Sequence, residues 1–427
     1  MKARPRCTAA PSAGESWAER SEAVARPLEG ILVLDLGHIY QAPYAGFLMA
    51  MAGATVIKVE PPTGEPLRRR AMVAGGSVPM AMLNSNKKGL SLDLKTPAGR
   101  DVFLRLVDRA DVVIENFSPG VMDRLGLGHA ALRARNPRLI YAAGSGYGQT
   151  GPDKDRLAMD LTVQAAVGIM HTTGYPDGPP TKAGPTVCDF LGGTHLYGAI
   201  MTALFARERS GKGAFVEVAM QDAAYSTLAS ALGMHFGGML KDVPPRTGNS
   251  HAGLAMAPYN VYPASDGWIA IIVVTEGHWD RLLRAMGQEA LVGDARFRSN
   301  PDRVKHMEEV DRLVTAWTSA HTRAQLEALT REHGVPAAPV RTLEEVLNDP
   351  GMHERGMLRW VDHPEVGRVV LPATPLRIED APPPPFEASP FLNQHEAEVL
   401  GGILGMDEAE REAARAAGGL GPRFSDR

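Results

Sequence analysis

Short apolar runs alternate with helical segments along the first half of the chain. Gly30–Gly37 is an apolar run that ends in glycine, Tyr40–Met51 has helical character, and Ala54–Glu60 is a second apolar run. Strands that are buried on both faces form such continuous runs, so this strand–helix–strand unit predicts a parallel sheet. The alternation continues in further predicted helices and strands at Pro97–Ala110, Asp111–Glu115, Ala130–Arg135, Leu139–Ala143 and Ala214–Ala219. The predicted fold class is therefore α/β, with a large domain built on a Rossmann-like parallel sheet.

A smaller domain is predicted after a break at Gly237–His251 that is rich in glycine, proline and charge. Tyr259–Pro263 and Trp268–Val274 flank Asp266-Gly267, and Asp-Gly between apolar runs is typical of a hairpin. Helical patterns follow at His278–Met286, Arg303–Ala320 and Arg323–His333. A hairpin followed by helices indicates an α+β domain.

The pattern divides the chain into an N-terminal extension at 1–26, a large α/β domain at 27–236, a small α+β domain at 246–345, and a C-terminal part at 346–427 that returns to the large domain. The extension lacks the apolar segment of a secretory signal, so we interpret it as mobile or as an arm that lies on a partner. In the last part, a proline-rich stretch at Ala381–Phe386 precedes a helical segment near Glu396–Ala417.

Composition narrows the class of protein. Hydrophobic residues make up 44% and charged residues 22% of the 427 positions, which is typical of a soluble globular protein. The net charge of −4 does not favour a nucleic-acid partner, and no apolar run reaches the length of a membrane span. The two cysteines, Cys7 and Cys188, cannot form a disulfide framework. We therefore expect a cytoplasmic protein without nucleic-acid or membrane partners.

Several familiar site motifs are missing. The turn at Leu36–Gln41 lacks GxGxxG and the chain has no GxxxxGK[ST], so a standard dinucleotide or phosphate-loop site is not expected. Ser145 does not lie in a GxSxG nucleophile elbow. The thirteen histidines show no metal-ligating spacing, so no metal site is expected. Cys188, alone beside a predicted helix start, is interpreted as buried packing.

Asp189 opens a predicted apolar helix, after a loop at 144–189 rich in glycine, proline, threonine and aspartate. Taken alone, an aspartate there is most simply a helix cap. A nucleophilic carboxylate must be ionised, however, and the positive end of a helix dipole favours that form. Gly192 and Gly193 would let a reacting group approach closely. Asp160 and Asp177, in the same loop, are each interpreted as turn or cap residues.

Basic residues cluster at Arg68–Arg70 and within Asn84–Lys88, with Lys95 and Arg124 beyond. A run of charge is usually a solvated face. Charged hydrogen bonds could equally hold the phosphates of a nucleotide-bearing ligand, and the sequence leaves both interpretations open.

A series of ordered segments resembles the family III, or CaiB/BaiF-type, CoA-transferases. The resemblance runs from about Gly30 to about Gly419 and rests on residues 83–100, 113–126, 136–152, 177–193, 209–223, 247–249, 257–262 and 265–268. It implies two ring-shaped protomers threaded through each other as an obligate homodimer. It also implies acyl-CoA and small carboxylic acids as substrates, without a permanently bound cofactor.

The resemblance carries site residues onto matching positions. Asp189 corresponds to the nucleophile, which would form an aspartyl mixed anhydride and then an aspartyl-CoA thioester. Gln41 stands one place from a glutamine that many of these transferases carry. Asp160, Gly192 and Gly193 are candidate supporting residues. Positions that contact CoA in the family match Lys95, Asn116, Phe117 and Arg124.

Two other functions remain as alternatives. The family's α-methylacyl-CoA racemases use a histidine where this chain has Met159, and methionine cannot shuttle a proton. A non-enzymatic CoA-binding relative would share the fold without the chemistry. Formyl-CoA transferases carry a flexible poly-glycine loop, whereas this chain has only Gly237-Gly238 and Gly248, so formyl-CoA and oxalate are not the expected substrates.

Overall fold

A computed structural model describes residues 26–238, 241, 243–383 and 385–426. The predicted extension at 1–26 therefore lies, apart from Arg26, outside the described residues. Among the described residues, no helix is both long enough and apolar enough to cross a membrane.

The strands of the described chain are mostly short and follow the apolar runs closely. They are β1 (Leu32–Asp35), β2 (Thr55–Glu60), β3 (Met72–Val73), β4 (Gly76–Ser77), β5 (Lys88–Ser91), β6 (Val112–Glu115), β7 (Ile140–Ser145), β8 (Phe215–Ala219), β9 (Tyr259–Ala264), β10 (Gly267–Ile272), β11 (Ala337–Pro339), β12 (Leu358–His363) and β13 (Gly367–Pro372).

The helices occur between these strands and in the later part of the chain. They are α1 (Gln41–Met51), α2 (Val78–Asn84), α3 (Pro97–Val107), α4 (Val121–Arg124), α5 (His129–Arg135), α6 (Asp160–Val167), α7 (Ile169–Thr172), α8 (Val187–Ser210), α9 (Met220–Tyr225), α10 (Ala229–Phe236), α11 (Glu276–Ala285), α12 (Asn300–Lys305), α13 (Met307–Thr318), α14 (Arg323–Glu332), α15 (Leu343–Leu347), α16 (Pro350–Glu354), α17 (Glu396–Leu404) and α18 (Glu408–Ala416).

The central sheet has six strands in the order β5-β2-β1-β6-β7-β8. The pairs β1–β2, β1–β6, β2–β5 and β6–β7 are parallel. Alternate strand residues, among them Leu34 and Ile57, form one core with Phe103 of α3 and Leu400 of α17. Helix α1 contacts β1, β2 and β6. The prediction of an α/β fold with a parallel sheet is thus confirmed.

Two compact units make up the described chain. Unit 1 comprises the residues up to Gly144, Leu196–Glu217 and the residues from Glu354 onward, and unit 2 comprises Ser145–His195 and Val218–His353. Within unit 2, β9, β10 and β11 form an antiparallel sheet, and its buried face packs with Trp279, Leu282 and Val314 of α11 and α13. The domain boundaries proposed from the sequence stay predictions.

Some predicted elements were wrong in detail. The single helix predicted at Arg303–Ala320 is two helices, because His306 has non-helical backbone angles and separates α12 from α13. The helical segment at Glu396–Ala417 is divided at Gly405, whose φ of 69° ends α17. The loop predicted at 144–189 contains α6 and α7. Strand β5 was missed because its first residue belongs to a run of lysines.

Candidate active site

Four predicted site residues, together with His38, follow parallel strands of unit 1. His38 and Gln41 follow β1, Lys95 follows β5, and Asn116 and Phe117 follow β6. The carboxyl ends of parallel strands share one edge of a sheet, and ligands of such folds bind beyond that edge. We call this part of unit 1 the carboxyl edge.

The side chain of Asn116 binds the neighbouring loop. Its Oδ1 accepts a hydrogen bond of 2.7 Å from His38 N–H, and its Nδ2 donates one of 3.0 Å to His38 O. The ring of Phe117 meets the His38 ring edge-on at 4.9 Å between centroids. Burial and the positive charge of Lys58 lower the pKa of His38, so its ring is neutral at pH 7. Asn116 therefore orients the loop that carries Gln41.

Gln41 is the first residue of α1 and is 1% exposed. A Cβ at Gly144, at the end of β7, would stand 2.7 Å from Gln41 Oε1. A side chain at position 144 would thus displace Gln41, so glycine is needed there for the close approach of strand and amide.

Lys95 and Arg124 are exposed in unit 1, in loops or short helices beyond β5 and β6. Arg124 closes the short helix α4, and Lys95 lies just before α3. Exposed cations at this edge can bind phosphate oxygens through charged hydrogen bonds at little desolvation cost.

Within the basic runs noted in the sequence, Arg68 and Lys87 are paired with buried carboxylates, whereas Arg69 and Arg70 are exposed. Arg68 donates two hydrogen bonds of 2.7 Å to the carboxylate of Glu60, and Lys87 Nζ lies 2.7 Å from Asp35 Oδ2. The side chains of Lys87 and Asp35 are fully buried. A buried charge must be paired, and the acidic partners supply that pairing. These cations therefore stabilise the interior beneath the carboxyl edge.

The pKa values in this interior follow from burial and pairing. Burial lowers the pKa of Lys87 to about 8, although Asp35 opposes the shift. Burial would raise the pKa of Asp35, but Lys87 and Lys58 outweigh it and the pKa lies below its ordinary value. Burial raises the pKa of Glu115, at the end of β6, to about 7, although a 2.7 Å hydrogen bond from Phe117 N–H lowers it.

In unit 2, Asp189 is the third residue of α8 and lies in its first turn. Asp160, the first residue of α6, caps this helix from outside: its Oδ1 accepts hydrogen bonds from Cys188 N–H at 2.7 Å and Asp189 N–H at 3.3 Å. A carboxylate at this position satisfies donors that a helix start leaves unpaired and complements the positive end of its dipole. The helix start therefore does not depend on Asp189 as its cap.

Gln164 fixes the orientation of Asp160. Its Nε2 donates a 2.5 Å hydrogen bond to Asp160 Oδ2, and its Oε1 accepts one of 2.9 Å from Ala183 N–H. Gln164 is fully buried. Gln164 was not among the predicted site residues, although an aspartate and a glutamine four residues apart in a helical pattern are the signal for such a pair.

Gly192 and Gly193 follow Asp189 by three and four residues within α8. In an α-helix, side chains point toward the N-terminus, so side chains at these two positions would lie beside the Asp189 carboxylate. Both glycines are buried, and neither places a side chain beside the carboxylate. Asp189 is itself buried, with 9% of its surface exposed, and its neighbour Cys188 has none exposed.

Cys188 is a packing residue, as predicted. Its side chain belongs to a small core with Tyr147, Val163, Met220 and Ala224. Burial, together with the charges of Asp160 and Asp189, raises the pKa of its thiol to about 12. The nucleophilic thiolate is therefore scarce near neutral pH.

Among the residues that the structure describes, no three His, Cys, Asp or Glu side chains are grouped to hold a metal ion.

Comparison with known proteins gives one consistent family. The sequence model described as CoA-transferase family III matches residues 28–396. The succinyl-CoA–D-citramalate CoA-transferase of Chloroflexus aurantiacus is 37% identical over 387 residues, which is 90% of this chain and 95% of that protein. The formyl-CoA:oxalate CoA-transferase of Streptomyces avermitilis is 34% identical over 405 residues, 90% of this chain and 97% of its own.

Solved structures agree with the sequences. The crystal structure of a CaiB/BaiF family protein from Brucella suis superposes with a TM-score of 0.78 at 35% identity, covering 88% of this chain and 99% of that chain. The resemblance inferred from the ordered segments is thereby confirmed.

Proposed function

Because this chain belongs to CoA-transferase family III, we propose that it moves CoA between carboxylic acids through a covalent intermediate on Asp189. The observation that carries the proposal is the first turn of α8. There a carboxylate stands at the positive end of a helix whose capping is performed by Asp160, and the glycines three and four residues further on place no side chain beside it.

The first half-reaction loads the enzyme. An Asp189 carboxylate oxygen attacks the thioester carbonyl of the donor, and CoA leaves as the thiolate, giving a mixed anhydride. The thiolate then attacks the aspartyl carbonyl, which forms an aspartyl-CoA thioester and releases the donor acid with one oxygen that came from Asp189. Dividing the exchange into such steps is covalent catalysis.

The second half-reaction restores the enzyme. The acceptor carboxylate attacks the aspartyl-CoA carbonyl, expels the CoA thiolate and forms a new mixed anhydride. The thiolate attacks the acceptor's carbonyl, giving the new acyl-CoA and an Asp189 carboxylate that keeps one acceptor oxygen. A thioester is consumed and a thioester is made, so the balance requires neither a nucleotide triphosphate nor a redox partner.

We assign CoA recognition to the carboxyl edge of unit 1. Lys95 and Arg124 supply exposed positive charge for phosphates, and Phe117 supplies an apolar ring. Gln41 is assigned to the reacting thioester, where an amide can donate to a developing oxyanion. Gly192 and Gly193 are assigned to leave room for the reacting group beside Asp189. CoA is a substrate here, and binding energy from its nucleotide end can serve the reaction at its thiol.

The N–H groups of the first turn of α8 are not assigned as oxyanion donors. Those of Cys188 and Asp189 donate to Asp160, that of Val187 donates to Pro185 O, and that of Phe190 donates to Thr186 O. Main-chain N–H groups further along donate within the helix. These N–H groups are already engaged, so we propose that the oxyanion donor is another group.

The substrates of relatives suggest which acids to test. The names of the relatives include succinyl-CoA with D-citramalate and formyl-CoA with oxalate. Succinate, citramalate and oxalate are small dicarboxylic acids, so we propose a small dicarboxylic acid as donor or acceptor. We also propose that the protein works as the interlocked homodimer, and light scattering of the purified protein would test its dimeric mass.

A donor-by-acceptor screen with mass detection of acyl-CoA products tests the function. We expect the wild type to exchange at least one pair, and D189A to lose at least about a thousandfold in kcat while remaining folded. D177A removes an exposed aspartate from the same part of the chain and is the matched control, with unchanged kcat. Full transfer by D189A would refute the mechanism.

The racemase alternative predicts a different product. Met159, at the start of α6, offers no proton-transferring group in place of the racemase histidine. Incubation of a 2-methylacyl-CoA in deuterated water should leave the α-proton in place. Deuterium incorporation without CoA transfer would favour the racemase, and CoA binding without either reaction would favour the non-enzymatic relative.

A further inference from the structure

Side chains form hydrogen bonds with most of the main-chain polar groups in the loop after β1. Gly37 N–H donates a 2.8 Å hydrogen bond to Asp35 Oδ1, and Lys58 Nζ donates to Gly37 O. Ile39 N–H donates a 2.9 Å hydrogen bond to Glu65 Oε2. Between them, His38 N–H donates to Asn116 Oδ1, and His38 O accepts from Asn116 Nδ2. A loop is normally less constrained than this.

One ion pair connects both ends of this short segment. Lys58 Nζ lies 3.0 Å from Glu65 Oε1, and both side chains are fully buried. The ammonium therefore binds Gly37 O and the carboxylate binds Ile39 N–H, while the two groups bind each other. Glu65 is itself placed by its own N–H, which donates a 3.0 Å hydrogen bond to Glu60 Oε1.

The backbone of the segment is strained where the pair holds it. Ile39 has a φ of 64°, in the left-handed region, which a β-branched side chain rarely adopts. Such a conformation persists only when its surroundings impose it, and it is found most often at functional sites. Room for the approach comes from Gly37, since a Cβ there would stand 2.6 Å from Ala42 Cβ.

We propose that the Lys58–Glu65 ion pair is a positioning device for catalysis: it fixes the loop Gly37–Ile39 and so sets where His38 and Gln41 stand at the carboxyl edge. The inference rests on the proposed function, which assigns Gln41 to the reacting thioester. Lys58 and Glu65 act through the loop, and neither is proposed to touch substrate.

The decisive variant replaces the pair by apolar residues of similar size, K58M/E65L. Such replacements often preserve the stability of a protein, because they remove the desolvation cost together with the attraction. We expect this variant to fold and to bind CoA, since Lys95, Phe117 and Arg124 are unchanged. Its kcat should fall at least about tenfold, because a displacement of catalytic groups by about 1 Å has effects of that size or larger.

The matched control lies at the start of β1, whereas the loop Gly37–Ile39 follows the end of β1. Asp111 pairs with Arg207 at 2.9 Å, and its Oδ2 accepts a 2.9 Å hydrogen bond from Leu32 N–H at the start of β1. D111N and E65Q therefore make the same chemical change at two ends of β1. We expect E65Q to lower kcat with CoA affinity unchanged, and D111N to lower Tm with kcat unchanged. E65Q also serves as the test if K58M/E65L does not fold.

Hydrogen exchange measured by mass spectrometry gives a readout that does not depend on activity. Amides in 37–41 should exchange faster in E65Q and K58M/E65L, and at the wild-type rate in D111N. A wild-type kcat in folded K58M/E65L, or unchanged exchange in 37–41, would overturn the proposal. If the wild type itself transfers no CoA, the proposed function fails, and the exchange result still decides whether the pair holds the loop.

Discussion

At the carboxyl edge of unit 1, buried carboxylates are matched with buried cations, whereas at the start of α8 in unit 2 the Asp160 carboxylate is matched with main-chain N–H groups. An ion pair fixes both of its partners and cancels both charges. A helix start instead offers several donors and a partial positive charge, which can favour more than one carboxylate. The comparison explains how Asp160 can cap the helix while Asp189 occupies the same turn.

Among the variants that test this comparison, D160A is expected to have the largest effect on kcat. Loss of the Asp160 carboxylate leaves Cys188 N–H and Asp189 N–H without their acceptor and removes the partner of Gln164. We expect the free energy of unfolding to fall by about 1 kcal/mol, the usual cost of a lost cap. We expect kcat to fall by about a hundredfold, because the first turn of α8 shifts.

A control at a second helix cap distinguishes the loss of stability in D160A from the loss of kcat. The Thr322 side chain caps α14 by accepting a hydrogen bond from Gln325 N–H. T322A should lose a similar amount of stability, measured by urea unfolding, with kcat unchanged. Equal losses of kcat in D160A and T322A would mean that the cap of α8 has no special relation to catalysis.

A smaller effect is expected when the exposed cations of the carboxyl edge are removed. K95A and R124A should each raise the KM for acyl-CoA by about tenfold, since one charged hydrogen bond to phosphate contributes about 1.5–3 kcal/mol. The increase should shrink at high salt, which screens exposed charges. K212A, which removes an exposed lysine from a turn, should leave KM unchanged, and a similar rise there would indicate unspecific attraction.

The prediction with the least effect on activity concerns the pH dependence of stability at Glu115. Its pKa is raised to about 7 in the folded protein, so between its ordinary pKa and 7 the folded state binds more protons than the unfolded state. Stability from this group is present at low pH and is lost as pH rises toward 7, by about 3 kcal/mol at most. E115Q keeps an acceptor for Phe117 N–H and should remove this dependence from urea unfolding curves at pH 5 and pH 7. An identical pH dependence in E115Q would contradict the assignment.

The sequence predicted the parallel sheet because its buried strands are continuous apolar runs, as in β1 and β2. The sequence did not predict β5, because Lys88 is the first residue of that strand and pairs with Glu398, far along the chain. The break at His306 was also invisible, since the hydrophobic period continues across it.

Parts of the site could be predicted where one residue and a helical pattern define a position. The place of Asp189 in a first helical turn is such a case. The partner relations were not, because Asn116 and His38 are 78 residues apart and Asp160 and Cys188 are 28 apart. The basic run at Lys87 gave no hint that its cation is buried against Asp35. Pairing of charges across strands is a property of the fold that a local pattern does not contain.

The central claim is that Asp189 carries the acyl group, and oxygen labelling tests it most directly. The enzyme turns over with an active acyl-CoA donor and an acceptor acid labelled with ¹⁸O in its carboxylate, and the peptide that contains Asp189 is then analysed by mass spectrometry. We predict one labelled oxygen in the Asp189 side chain after a single turnover and up to two after repeated turnover, and none in the peptide that contains Asp160. Transfer of CoA to the acceptor with no label in Asp189 would contradict the account.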